Sequence, residues 1–164
     1  MSLFEVSGKL MTEDDSGKLS VEKRVLLVEG HTFTDIECVF LDWLNKRTEF
    51  PEHTVIESIK RVKIEKIYEN EILTITDSNG MRELIPEDKD NSLWELTSQF
   101  ELTNETGTIK YIKEKYIVPA ESQKDAIVRL EKIQSDTFAD GCKIVNGKES
   151  SYYACLVINY EKED

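Results

Sequence analysis

His31 and Cys38 could together supply a general base and a thiol nucleophile, the pairing that activates a cysteine for covalent chemistry. Against this, one constant shift of the chain onto itself puts Cys38 on Val128, which reads as a small packed hydrophobe. His31 and His53 belong to no HxxxH, HExxH or Cys/His cluster, so neither reads as a metal ligand. Asp14, Asp15 and Gly17 hint at a calcium loop, but a loop opening at Asp14 puts Val25 where the closing bidentate Glu belongs. That stretch reads instead as an acidic hairpin tip. With only seven glycines the chain holds no GxGxxG and no phosphate loop. These residues lead to the expectation of a protein that is not an enzyme and takes no metal or cofactor.

Two groups of residues point to binding instead. Lys60, Arg61, Lys63 and Lys66 form a basic cluster in an otherwise acidic chain, and Lys110, Lys113 and Lys115 form a second. With Trp94, Tyr111, Tyr116, Tyr152 and Tyr153 in the same chain, a sheet that stacks single-stranded bases is conceivable. The bland reading is a solvated strand face over core aromatics, and no RNP-like aromatic pattern argues otherwise. The second group is Cys38, Leu41 and Leu44 on the first expected helix. That helix carries Val39, Leu41 and Leu44 where the second expected helix carries Arg129, Glu131 and Gln134. A helix apolar nearly all round is covered on more than one side. The cover is either the hairpin that follows or a protein partner, including a second copy of the chain.

The elements that must position these groups repeat. An ungapped shift carries Leu3 onto Leu93, Glu5 onto Glu95, Gly17 onto Gly107, Lys23 onto Lys113, Val28 onto Val118 and Asp35 onto Asp125. Phe4, Val6 and Leu10 alternate, as do Trp94, Leu96, Phe100 and Leu102, which suits strands with one buried face. Polar loops with a glycine follow, then return strands over 19–28 and 109–118. Thr32 with Asp35, and Ser122 with Asp125, put a hydroxyl at a helix N-cap and a carboxylate in the first turn. Ile36, Val39, Phe40 and Trp43 make one helical stripe, and Ala126, Ile127, Leu130 and Ile133 the other. A third strand within 55–68, with a bulge near Lys60 and Arg61, closes the first copy. In the second copy it lies within 142–146 and turns at Asn146-Gly147 into 151–160. Asn79-Gly80 marks an inserted hairpin between the copies.

The reading is an α+β fold: a tandem duplication of a ββαβ unit, antiparallel sheet with two helices, plus the inserted β-hairpin. Residues 1–70 form the first repeat, 71–92 the hairpin and linker, and 93–164 the second repeat, packed as one compact unit.

The pieces Ser58-Ile-Lys-Arg-Val-Lys-Ile-Glu-Lys-Ile67 and Tyr116-Ile-Val-Pro-Ala-Glu-Ser-Gln-Lys-Asp-Ala126 resemble a domain family common in Bacteroidetes and their phages, domain of unknown function 4494. The resemblance covers both copies, with the hairpin around 71–86 as a departure. It implies no activity and favours a bacterial or phage accessory protein.

At 164 residues with 39% apolar side chains, the chain can bury a core and is not of disordered composition. A formal charge of −12 disfavours nonspecific binding to a phosphate backbone, so nucleic acid is the lesser expectation. Cys38, Cys142 and Cys155 lack paired spacing and are expected as reduced thiols. The first residues do not read as a signal peptide, and no apolar run reaches the ~20 residues of a membrane span, so a cytoplasmic setting and no membrane are expected. The leading expectation is a non-catalytic protein-interaction module acting through Cys38, Leu41 and Leu44. The alternative is a single-stranded nucleic-acid-binding accessory protein using Lys60, Arg61, Lys63 and Lys66.

Overall fold

A computed structural model describes residues 2–68, 74–76, 81–84, 92–137 and 142–158. Strand β1 (Ser2–Glu13) turns back into β2 (Leu19–Gly30), and helix α1 (Phe33–Asn45) follows, then a 3-10 turn (Pro51–His53) and β3 (Val55–Val62). Short strands β4 (Lys66–Ile67), β5 (Thr74–Thr76) and β6 (Met81–Leu84) come next. The second half then repeats the order with β7 (Ser92–Thr103), β8 (Ile109–Ala120), helix α2 (Gln123–Thr137), β9 (Cys142–Glu149) and β10 (Ala154–Ile158). The fold is α+β, two helices with two mostly antiparallel sheets.

Contacts divide the chain into two compact units that interleave in sequence. Unit 1 takes residues 1–62, 74–85 and 151–164, and unit 2 takes 63–73 and 86–150. Unit 1 has strand order β3-β1-β2-β10-β6-β5, and unit 2 has β4-β8-β7-β9. The inner return strand of each sheet gains a parallel neighbour from the other half of the sequence. Leu26 to Val28 on β2 pair with Ala154 to Leu156 on β10, and Tyr116 and Ile117 on β8 pair with Lys66 and Ile67 on β4. The segment after Val62 is therefore not one strand. Ile59 and Val62 on one side of the break and Ile67 on the other serve different sheets.

The core of each unit lies between its helix and one sheet face. In unit 1 Phe4, Val6, Leu10, Leu26 and Val28 meet Ile36, Phe40, Trp43 and Leu44, joined by Ala154 and Leu156. In unit 2 Leu96, Tyr116, Val118 and Ala120 meet Ala126 and Leu130. Each large apolar side chain so buried contributes about 1.5–3 kcal/mol relative to exposure. Both helices start on the expected caps: Asp35 N–H donates to Thr32 Oγ1, and Asp125 N–H to Ser122 Oγ, each at 3.1 Å. Both hairpins close alike, with Gly17 at φ 84° and Gly107 at φ 82°, the left-handed region that favours glycine.

The bulge falls elsewhere than near Lys60 and Arg61. Ser7 faces Ser58 and Gly8 faces Ile56, so the extra residue is Glu57. Thr97 faces Asn146 and Ser98 faces Ile144, so its counterpart is Val145. Asn146-Gly147 is not a turn but part of β9. Gly147 is needed there for space: a Cβ would meet Leu96 Cδ2 at 2.8 Å, while its carbonyl accepts from Gln123 Nε2 at 2.7 Å. These correspondences are compatible with duplication of one ββαβ unit. Of the inserted hairpin, β5 and β6 pair antiparallel and β6 lies against β10. The Asn79-Gly80 turn lies outside the described residues, as does the 87–92 linker up to Ser92.

Candidate binding face

The carboxylate of the acidic tip is already engaged. Asp14 Oδ1 accepts from Ser16 N–H at 2.9 Å, Ser16 Oγ at 2.6 Å and Lys18 N–H at 2.9 Å. These bonds, that of the Ser16 hydroxyl first, hold its carboxyl below the usual range. Asn104 makes the same bonds in unit 2, to Thr106 N–H, Thr106 Oγ1 and Thr108 N–H. The acidic tip is thus a side-chain-closed turn that works with a neutral amide equally well. Among the described residues no group of three His, Cys, Asp or Glu side chains gathers in metal-binding geometry.

Helix α1 departs from its reading as apolar all round. Leu44 is fully buried in the core, and Val39 packs partly against it. Cys38 is exposed, and Leu41 is 38% exposed. With Thr34, Glu37, Asp42 and Asn45 exposed as well, the outer side is an ordinary wet face with one leucine on it. The hairpin, in its described strands β5 and β6, joins the sheet beside β10. What it offers α1 is Glu83, whose carboxylate accepts from Trp43 Nε1 at 2.6 Å and from Arg47 at 2.5 and 2.6 Å. Arg47 also stacks on the Trp43 ring, 3.9 Å from its centre. An open cleft of about 450 Å³ beside Arg47, Thr48 and Phe50 has Glu13 and Asp14 on its wall. Its arginine is committed to Glu83 and its aspartate to the turn.

The contrast between Leu44 and Gln134 has an internal explanation. Gln134 is buried too, and its amide donates to Ser98 Oγ at 2.7 Å while its carbonyl accepts from Cys142 Sγ at 3.0 Å. Gly8 and Leu44 hold the matching places in unit 1. A polar triad thus replaces an apolar contact, with its buried groups satisfied. Burial raises the Cys142 thiol above its usual value, against the pull of a hydrogen bond with Ser98, and burial alone raises Cys155. Both thiols are held protonated, the reverse of what a nucleophile needs. Burial, and then its hydrogen bond to Glu114 at 2.6 Å, also raises the Tyr116 phenol.

The predicted basic cluster is divided between the two units. Lys60 and Arg61 belong to β3 of unit 1, whereas Lys63 and Lys66 belong to unit 2. Lys60 pairs with Glu5 at 2.8 Å, Arg61 lies over the Phe4 ring at 5.5 Å, and Lys66 over Tyr68 at 5.2 Å.

The second basic group is better placed. On β8, Val118 and Tyr116 face α2, so alternation sends Lys115, Lys113 and Tyr111 to the opposite face. Gln99 on β7 stands between Lys113 and Lys143, and Lys148 on β9 lies beside Glu95. All four lysines are exposed, and Tyr111 is 54% exposed. Lys115 and Lys148 share Glu95, at 3.4 and 3.7 Å. Lys113 and Lys143 have no carboxylate within 4 Å among the described residues. On the same face of unit 1, Glu57 pairs with both Lys9 at 3.6 Å and Lys23 at 4.0 Å. Sequence reading picked out Lys113 and Lys115 but missed Lys143 and Lys148, which only the β9 register brings alongside.

No helix among the described residues is long and apolar enough to cross a membrane. A search of curated proteins returns no match. Among solved structures, the chain is similar to a protein Il1583 from Idiomarina loihiensis. Identity is 17%, covering 99% of this chain and 90% of that one, with a TM-score of 0.28, too low to carry an argument. The profile of Domain of unknown function (DUF4494) matches residues 2–160, and the chain therefore belongs to that family.

Proposed function

We propose that this chain is a non-catalytic binding module, an accessory protein of bacterial or phage origin, working through the face of unit 2 that carries Tyr111, Lys113 and Lys143. The observation that supports it most is the contrast across one register: Glu57 pairs with two lysines in unit 1, while with Val145 at that place in unit 2 Lys113 and Lys143 have no carboxylate within 4 Å among the described residues. In a chain of net charge −12, two exposed lysines with no ion-pair partner among the described residues are a feature with a use outside the fold. The raised thiols and the satisfied triad support a structural role for the buried polar groups.

The test is capture from a bacterial host lysate by the tagged chain, compared with Lys113→Glu/Lys143→Glu, reading retained protein and nucleic acid separately. Material retained by the parent and lost in the variant supports the reading. Identical retention by both overturns it. Cys38 and Leu41 offer a smaller surface for self-association, and Leu41→Glu measured by sedimentation tests that separately.

A further inference from the structure

Resting on that binding-module reading, we propose that this face of unit 2 takes single-stranded nucleic acid, with Lys113 and Lys143 on phosphates and Tyr111 as a stacking platform. Same-face neighbours on a strand stand about 6.8 Å apart. Tyr111 and Lys113 are such neighbours on β8, and Lys115 is the next. That spacing is close to the phosphate repeat of an extended single strand. Lys143 adds a second cationic row across Gln99, two strands away. A cationic track beside an exposed ring is the combination that holds single strands without reading sequence. An acidic peptide would use the lysines and leave the ring idle, so the ring decides between the two. Unit 1 supplies the internal control: on its matching face Lys9 and Lys23 both pair with Glu57, and Val21 stands where unit 2 has Tyr111.

The experiment is fluorescence anisotropy of short labelled oligothymidylate and oligouridylate, with labelled polyglutamate as the competing probe. With two to four phosphate contacts, affinity should fall roughly ten- to fifty-fold between about 50 and 200 mM salt. Lys113→Glu/Lys143→Glu should abolish binding, and Tyr111→Ala should weaken it by about ten-fold or more. Lys9→Gln/Lys23→Gln in unit 1 should leave it unchanged. These positions are exposed, and an unchanged melting temperature verifies that the variants fold. Three results would overturn the proposal: no oligonucleotide binding at low salt, oligonucleotide binding indifferent to Lys113 and Lys143, or oligonucleotide binding that ignores Tyr111. If oligonucleotides fail while lysate capture still depends on Lys113 and Lys143, only the nucleic-acid assignment falls.

Discussion

Glu57 and Val145 occupy the same bulge position in the two units, and they differ in what they do to the lysines around them. Glu57 holds Lys9 and Lys23, while Val145 leaves Lys113 and Lys143 without a carboxylate among the described residues. Val145→Glu should therefore bring unit 2 toward unit 1, weakening any polyanion bound there by several-fold. The exchange is at an exposed site, so stability should move by no more than about 0.5 kcal/mol. Binding isotherms and thermal melts of the single variant check both statements.

The outer side of α1 should tolerate charge and its inner side should not. Leu41→Glu is expected to change stability by less than about 1 kcal/mol, whereas Leu44→Glu puts an unpaired carboxylate in the core and should cost more than about 4 kcal/mol. Urea titration of the two variants separates them. Equal losses would mean that Leu41 is covered.

This pair also shows where the sequence was legible. The caps, the glycine turns, the alternating strands and the α+β class follow from local rules, because each depends on neighbours a few residues away. Whether Leu44 faces in or out depends on whether its counterpart Gln134 is a wet residue or a buried one. Only the placement of Ser98 and Cys142 beside Gln134 answers that. The β4 and β10 pairings are parallel and distant in sequence, and no local pattern encodes them. The candidate face was half legible: period two puts Lys113 and Lys115 together, but Lys143 and Lys148 join them only through the β7–β9 register.

The polar triad of unit 2 should behave as a closed set. Gln134→Ala leaves the Ser98 hydroxyl buried without its partner and should cost about 2–3 kcal/mol. Adopting the residues of unit 1 at both places, Ser98→Gly with Gln134→Leu, should recover most of that loss. Chemical denaturation of the single and double variants measures the coupling, and strict additivity would contradict it.

Stability should fall on the alkaline side. In the folded chain burial raises Cys142, Cys155, Tyr68 and Tyr116, so their neutral forms are favoured there. The unfolded chain ionises first, at the ordinary 9.0 for thiols and 10.0 for phenols, and then binds fewer protons than the folded one. The stabilisation is fully present below those values and is lost as pH rises through and beyond them. Melting temperature should hold up to about pH 8.5 and then decline. Tyr116→Phe should make that decline shallower, at the cost of the Glu114 hydrogen bond.

Lysine footprinting tests the assignment of the face most directly, since each unit carries its own set of reporters. Amine acetylation read by mass spectrometry, with and without a saturating single-stranded oligonucleotide, should show protection at Lys113 and Lys143 and unchanged labelling at Lys9, Lys23 and Lys60. Unprotected Lys113 and Lys143, or equal protection of both sets, would contradict it.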